Sequence, residues 1–472
     1  MFSAARCSRP LILSLHGCGG ICDGEISRRI TQQQKPGTGR VFEEEWDRSA
    51  SRSGAEEKFA AARREAPIGC RYGNLSISRP RFDHEPPLNS SPAPSRISAL
   101  TGVRFFAAIA VVLYHYWEDL MPGIPTRRIF ESGFMGVSFF YVLSGYILAY
   151  VYLRTDTPKT DWKKFYVARF ARVYPSYALS LVVQFPLIGW LLLHYRSPIK
   201  YTLIALGTLG VHILLLQAWW PVLDWRWNPP SWSISAEAFF YLLFPVLGIW
   251  SLRLRNPIRL AILIGLSYLL MLAPAAGLLL HGVGWSDQPR PESFLFVVFA
   301  PIFRIPEFMM GVFLSILHRR IASAWAPARV ARIGQIATYS GLVASAVVIF
   351  NGRRIPFVIR YNGITDLAFA AIIFGLAAAP TLLRRVLSHP FLVLLGEASY
   401  SVYILQAPIV DYFRPMVTRF HGPTLFAAYL VTLIAASILS FLYVESPLRE
   451  GIKRWYARLA SRNSMPKNSV VT

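Results

Sequence analysis

Arg104 and His115 stand eleven residues apart in an apolar run that begins near Ile97. At 1.5 Å per residue a helix separates them by about 16 Å along its axis, and eleven residues make three turns plus about 20°, so both project on nearly one face. Such a stripe joins an anion-attracting guanidinium to a titratable imidazole. Those are the groups needed to hold a negatively charged ligand at one level and to move a proton at another. A structural Arg paired with a carboxylate and a His hydrogen-bonded inside a bundle would satisfy the same spacing.

A second cluster begins at Asn228 and reads Asn-Pro-Pro-Ser-Trp-Ser-Ile-Ser-Ala-Glu-Ala-Phe-Phe-Tyr. Ser231 or Ser233 is suited to cap a helix there. Glu237 then falls in about the first turn, near the depth at which His115 approaches on its own helix. A carboxylate beside an imidazole orients it and stabilises its charged form; the plainer role is to complement the helix dipole. Arg169 and Arg172, one turn apart with Pro175 following, suit a phosphate-rich ligand at a helix mouth. Topology or anionic lipid accounts for them equally well. Arg304 and Glu307, three apart, suit a same-face pair. Glu397, Ser399, Tyr400, Tyr403 and Gln406 form a polar stripe on one segment, and Trp219, Trp220, Trp225, Trp227 and Trp232 cluster where an interfacial belt or a sugar-stacking surface belongs.

The elements that must position these groups follow from composition. The 472 residues are 54% apolar and only 16% charged, whereas soluble domains average about 25% charged. Mean hydropathy is +0.38. An ordinary cytosolic enzyme, a disordered chain and a disulfide scaffold are excluded, and an all-α polytopic membrane bundle is expected. Apolar runs lie at about 97–118, 133–153, 173–194, 202–218, 235–252, 258–280, 297–317, 334–350, 364–382, 390–411 and 424–444. Lipid offers the backbone no hydrogen bonds, so these runs must be helices.

Charge sets the expected topology. Residues 1–95 carry a net charge of +3 and the remainder +20. Basic residues placed between apolar runs fit the positive-inside rule better than nucleic-acid binding, so no nucleic acid partner is expected. The basic stretches around Arg154–Arg172, Arg253–Arg259, Arg319–Arg332, Arg384–Arg385 and the C-terminal tail (451–472) should all be cytoplasmic. An even number of crossings is then needed between the first two, and 202–218, the shortest run and one with Gly207, Gly210 and His212, becomes a re-entrant or interfacial helix. Ten spans remain, with both termini cytoplasmic. The loop with Arg353, Arg354 and Arg360 then faces outside, against the rule.

Residues 1–95 are polar and punctuated by proline, and read as a disordered cytoplasmic arm. They hold all four cysteines, Cys7, Cys18, Cys22 and Cys70. Cys18 and Cys22 beside His16 lack a second pair, so they read as free thiols and no metal site is expected.

Taken in order, seven motifs resemble the acyltransferase 3 family of membrane O-acyltransferases: the Arg, ten residues, His pattern ending at His115; Gly136-Val-Ser-Phe-Phe-Tyr-Val-Leu-Ser-Gly-Tyr; Arg169-Phe-Ala-Arg-Val-Tyr-Pro-Ser-Tyr; Trp232-Ser-Ile-Ser-Ala-Glu; Arg304-Ile-Pro-Glu-Phe-Met-Met-Gly; Ser399-Tyr-Ser-Val-Tyr-Ile-Leu; and Glu445-Ser-Pro-Leu. The resemblance covers about 96–450. Two positions depart from the family pattern: Thr101 stands where an acidic residue is common, and Gln406 where a His is usual, which removes that position from the catalytic set.

The resemblance implies a bacterial inner-membrane enzyme that transfers an acyl group, most often acetyl, from cytoplasmic acyl-CoA to a hydroxyl of a glycan or lipid-linked saccharide. Acyl-CoA is a co-substrate and no bound cofactor is expected. On that reading His115 is general base or acyl carrier, with Glu237 orienting it. Arg104, Arg169 and Arg172 hold the acyl-CoA, and Trp232, Ser233, Arg304 and Tyr400 are candidate substrate contacts. A secondary transporter would instead move solute without consuming thioester, and a non-catalytic glycan-export protein would tolerate loss of His115.

Overall fold

The computed structural model describes residues 97–123, 130–153, 161–194, 198–221, 227–286, 290–420 and 422–464. The arm 1–95, with its cysteines and His16, lies outside the described residues, as do Trp225 and Arg154. No strand occurs among the described residues.

Among the described residues nine stretches are long and apolar enough to cross a membrane: Ser98–Leu120, Phe130–Tyr152, Pro229–Leu252, Pro257–Leu280, Glu292–Ala324, Pro327–Phe350, Phe357–Ala378, Pro390–Met416 and Gly422–Ser461. Their helices are α1 (Ser98–Leu120) and α2 (Gly136–Tyr152), then, after α3 (Trp162–His194) and α4 (Pro198–Ile213), α5 (Trp232–Leu252) and α6 (Pro257–Leu280). There follow α7 (Glu292–Phe299), α8 (Pro301–Ala324), α9 (Pro327–Phe350), α10 (Phe357–Tyr361), α11 (Asp366–Ala378), α12 (Leu382–Leu387), α13 (Pro390–Phe413), α14 (Gly422–Ser440) and α15 (Ser446–Ser464). The 33 residues of α3 extend about 50 Å, also enough to span, but its first three turns carry Lys163, Lys164, Arg169 and Arg172. The basic stretch expected as a loop before 173 is therefore already helical. The 16 residues of α4 are too few for a crossing, which needs about 20.

Lipid supplies no hydrophobic drive for helices to meet, so close packing must come from small residues. The crossing of α2 and α8 shows how: a Cβ added to Gly145 would overlap the carbonyl of Phe308, and one added to Gly311 would overlap the carbonyl of Val142. The helix α13 lies along α1, α9 along α11, and α6 against α8.

Two spans are broken rather than continuous. Between α7 and α8 the chain turns at Ala300, which is extended (φ −65°, ψ 132°) ahead of Pro301. Between α10 and α11 it turns at Gly363, whose φ of +70° suits glycine. Each break leaves carbonyls at a helix C-terminus without partners inside that helix. A third irregularity is a π-turn, Phe441–Glu445, between α14 and α15.

Candidate active site

The two ends of α1 open into different cavities. The one at its N-terminal end, about 370 Å³, is lined by Arg104, Arg169, Arg172, Arg449 and Lys453 against the carboxylates Glu237, Glu397 and Glu450. The one at its C-terminal end, about 410 Å³, is lined by His115, Glu118, Glu131, Arg290 and Arg360 among aromatic rings that include Trp232, Phe294, Phe357 and Tyr361. We call them the basic and the aromatic cavity.

In the basic cavity the three arginines expected to act together have different surroundings. Arg172 is ion-paired to Glu445 and lies 4.0 Å from Glu397. Glu445 is fully buried, sits in the π-turn and is also 3.8 Å from Arg449. The insertion of one residue into the helix thus aims a carboxylate at α3, a use of π-turns common at functional sites. Arg169 is looser: its Nη2 donates to the Tyr152 hydroxyl at 3.4 Å, and its guanidinium lies 5.6 and 5.9 Å from the ring centres of Tyr152 and Tyr241. Arg104 has no ion-pair or hydrogen-bond partner among the described residues. Arg449 and Lys453, neither expected among the site residues, come from α15, whose part from 451 on reads from the sequence as a basic tail; Lys453 is 3.0 Å from Glu450. Between Arg449 and Lys453 stand Glu450, Gly451 and Ile452, and the four-residue spacing that puts the two cations on one helix face is the signal that could have found them.

Glu237 belongs to this cavity and not to the aromatic one. It accepts from Ser144 Oγ at 3.1 Å and from the Tyr241 hydroxyl. The helix α5 begins at Trp232, so Glu237 is its sixth residue and lies in the second turn. Ser231 occupies the N-cap position of that helix but makes no side-chain capping hydrogen bond; Ser233 Oγ donates to the Pro230 carbonyl at 3.1 Å and is within 2.8 Å of the Tyr403 hydroxyl. The expected contact of Glu237 with His115 is therefore replaced by contacts deeper in the bundle.

His115 is held by its own helix. Its Nδ1 lies 2.9 Å from the Val111 carbonyl, which can only accept, so Nδ1 carries a proton and, in the neutral ring, Nε2 keeps its lone pair. Tyr114 packs edge-on against the imidazole at 5.0 Å between ring centres. A neutral imidazole with its basic nitrogen free in a cavity can take a proton or accept an acyl group.

The partition between the cavities is one residue deep in α5: Trp232 lines the aromatic cavity and Ser233 the basic one. Trp232 packs edge-on against Phe299 at 4.8 Å and Tyr141 at 6.3 Å, and Tyr141, with Phe140 and Tyr403, lines the basic side.

Arg304 and Tyr400, two other candidate substrate contacts, are both held by protein partners. Arg304 is buried, lines neither cavity, and pairs with Glu307 at 3.0 Å, its guanidinium taken up by protein acceptors. Tyr400 lines the basic cavity, and its hydroxyl donates to the Val173 carbonyl at 2.9 Å, tying α13 to α3. Gln406 is buried, with its amide nitrogen donating to the Tyr403 carbonyl.

Residues 97–444 match the acyltransferase 3 family, described as an acyltransferase domain. The chain is 27% identical over 385 residues to the acyltransferase MdmB of Streptomyces mycarofaciens, covering 75% of this chain and 91% of that one. It is 25% identical over 381 residues to a Staphylococcus aureus (strain COL) protein named as an O-acetyltransferase, covering 76% of this chain. It is also 25% identical over 383 residues to a Bacillus subtilis (strain 168) protein named as a peptidoglycan O-acetyltransferase, covering 77% of this chain. The match spans 58% and 56% of those two proteins. No solved structure matches.

Proposed function

The chain belongs to the acyltransferase 3 family, and from that premise we propose that it is a membrane O-acyltransferase that takes an acyl group, most simply acetyl, from acyl-CoA in the basic cavity and delivers it to a hydroxyl in the aromatic cavity. The arrangement that carries this reading is the pair of cavities at opposite ends of α1, one cationic and one holding the free Nε2 of His115, with a wall one residue thick in α5 between them.

The basic cavity opens among Arg169, Arg449 and Lys453, on the side that the positive-inside rule assigns to the cytoplasm, where acyl-CoA is made. Their charges, with Arg104 further in, complement the phosphates of coenzyme A. Arg172, already neutralised by Glu445 and Glu397, orders the mouth rather than adding a free cation. The thioester end lies toward Ser144, Glu237 and Tyr241. On the far side an acceptor with stacked apolar faces and hydroxyls, such as a sugar, fits walls of aromatic rings and charged groups. His115 Nε2 removes the hydroxyl proton as the oxygen bonds to the acyl carbon. The carbon–sulfur bond then breaks and coenzyme A leaves as the thiol, taking that proton. In the two-step variant Nε2 itself carries the acyl group between thiol and hydroxyl.

The proposed setting is a bacterial inner membrane with both termini cytoplasmic, and the proposed acceptor class is a glycan or lipid-linked saccharide. The experiment is to incubate membranes containing the wild type or His115→Ala with radiolabelled acetyl-CoA and the glycan pool of the host. Label in glycan that depends on His115 supports the reading; equal label with both proteins removes His115 from it.

A further inference from the structure

Arg304 lies outside both cavities, yet it touches three residues of the aromatic cavity's wall, Trp232, Val298 and Tyr361. Its Nε and Nη2 both reach the Val298 carbonyl, at 2.8 and 2.5 Å, and its Nη1 donates to the Tyr361 carbonyl at 3.2 Å. Val298 is in the last turn of α7, and Tyr361 is the last residue of α10. These carbonyls are the orphans left where the two broken spans are interrupted. One guanidinium therefore closes both helix C-termini, where a cation also complements the helix dipoles. Its carbon lies 5.7 Å from the ring centres of both Trp232 and Tyr361, within cation–π range. Glu307, itself fixed by Ser138 Oγ at 2.9 Å, neutralises it at 3.0 Å. Trp232, Val298 and Tyr361 come from three different segments, and all three line the cavity that holds His115.

We infer that Arg304 is a positioning residue for the aromatic cavity: it fixes the α5, α7 and α10 segments of the wall relative to one another and so sets the shape of the space around His115. The inference rests on the reading of that cavity as the acceptor side. Lysine keeps the charge and the pairing with Glu307 but has one nitrogen, which cannot serve two helix ends and stack between two rings.

Arg304→Lys and Glu307→Gln in the full chain separate the terms, read by hydrogen exchange and by diethyl pyrocarbonate modification of His115 followed by mass spectrometry. In Arg304→Lys, exchange at 292–299 and 357–361 should accelerate at least tenfold and modification of His115 should change at least fivefold. Exchange at 98–104 and 444–453 and the affinity for acetyl-CoA should stay within twofold. Glu307→Gln leaves both carbonyl contacts in place but strands a buried charge, so it should lower the unfolding midpoint while exchange at 292–299 and 357–361 and modification of His115 change less than half as much as in Arg304→Lys. Unchanged exchange and His115 reactivity in Arg304→Lys would overturn the inference. So would acceleration at both ends of the bundle, which would make Arg304 a strut of the whole fold, or an equal effect of Glu307→Gln. None of these readouts requires acyl transfer, so failure of the proposed reaction would be seen separately.

Discussion

Glu445, in the π-turn between α14 and α15, is ion-paired to Arg172 of α3 and lies 3.8 Å from Arg449 of α15. A buried carboxylate thus joins the mouth of the basic cavity to the helix that follows the last span. Removing one partner of a buried pair costs about 3–5 kcal/mol, because the other charge stays behind unpaired. Glu445→Ala should therefore lower the thermal unfolding midpoint in detergent markedly and weaken acetyl-CoA binding, since Arg172 and Arg449 lose their anchor. Glu445→Gln, which keeps the shape, should fall between the two.

Arg169 and Lys453 should behave differently, because their work is on the ligand. A charge-assisted contact is worth about 1.5–3 kcal/mol, roughly ten- to a hundredfold in affinity. Arg169→Gln and Lys453→Gln should each raise the KM for acetyl-CoA by about tenfold, leave kcat within a few-fold, and leave thermal stability near wild type. Competition by coenzyme A fragments with and without phosphate measures whether the loss is in the phosphate contacts.

Trp232 keeps the cavities apart. Replacing it with alanine removes the side chain that packs on Phe299 and Tyr141 and joins the donor space to the acceptor space. Trp232→Ala should hydrolyse acetyl-CoA faster than wild type while transferring less to acceptor. Free thiol release measured with and without acceptor distinguishes the two processes.

The crossing of α2 and α8 has no room for a side chain at Gly145 or Gly311. Overpacking of this kind costs about 1–3 kcal/mol even where side chains can move, and here the obstacle is backbone. Gly311→Leu should abolish a monodisperse peak in size-exclusion chromatography of detergent-solubilised protein, whereas Gly265→Leu, at a position with open space around it, should not.

Much of this architecture was readable in advance, because the length of an apolar run decides whether it can span. The run at 202–218 is too short to be read as a crossing, and α4 is a helix of 16 residues. Hydropathy is blind to interruptions within a run: Ala300 and Gly363 are apolar or neutral, so the breaks that leave helix ends at the aromatic cavity do not disturb the pattern. The pairing of Arg304 with Glu307 follows from their spacing of three, but the helix-end carbonyls that Arg304 also binds are hidden for the same reason. A buried arginine with helix-end carbonyls to bind has the same sequence as one facing substrate. Arg104 and His115 were correctly set at the two levels of one helix, since 1.5 Å per residue is a property of the helix alone. Glu237 depended on where α5 begins and on the tilt of a second helix against the first, which no local spacing encodes. The cations of α15 were hidden because a basic stretch after the final span reads as a topology signal until the π-turn folds it back over the cavity.

The most direct test of the account is transfer of label from acetyl-CoA by the wild type and by His115→Ala, measured with acetyl-CoA affinity on the same preparations. The prediction is loss of at least a thousandfold in transfer to acceptor with acetyl-CoA binding unchanged within twofold, because His115 lies in the cavity away from the donor phosphates. Transfer retained within tenfold by His115→Ala would contradict it.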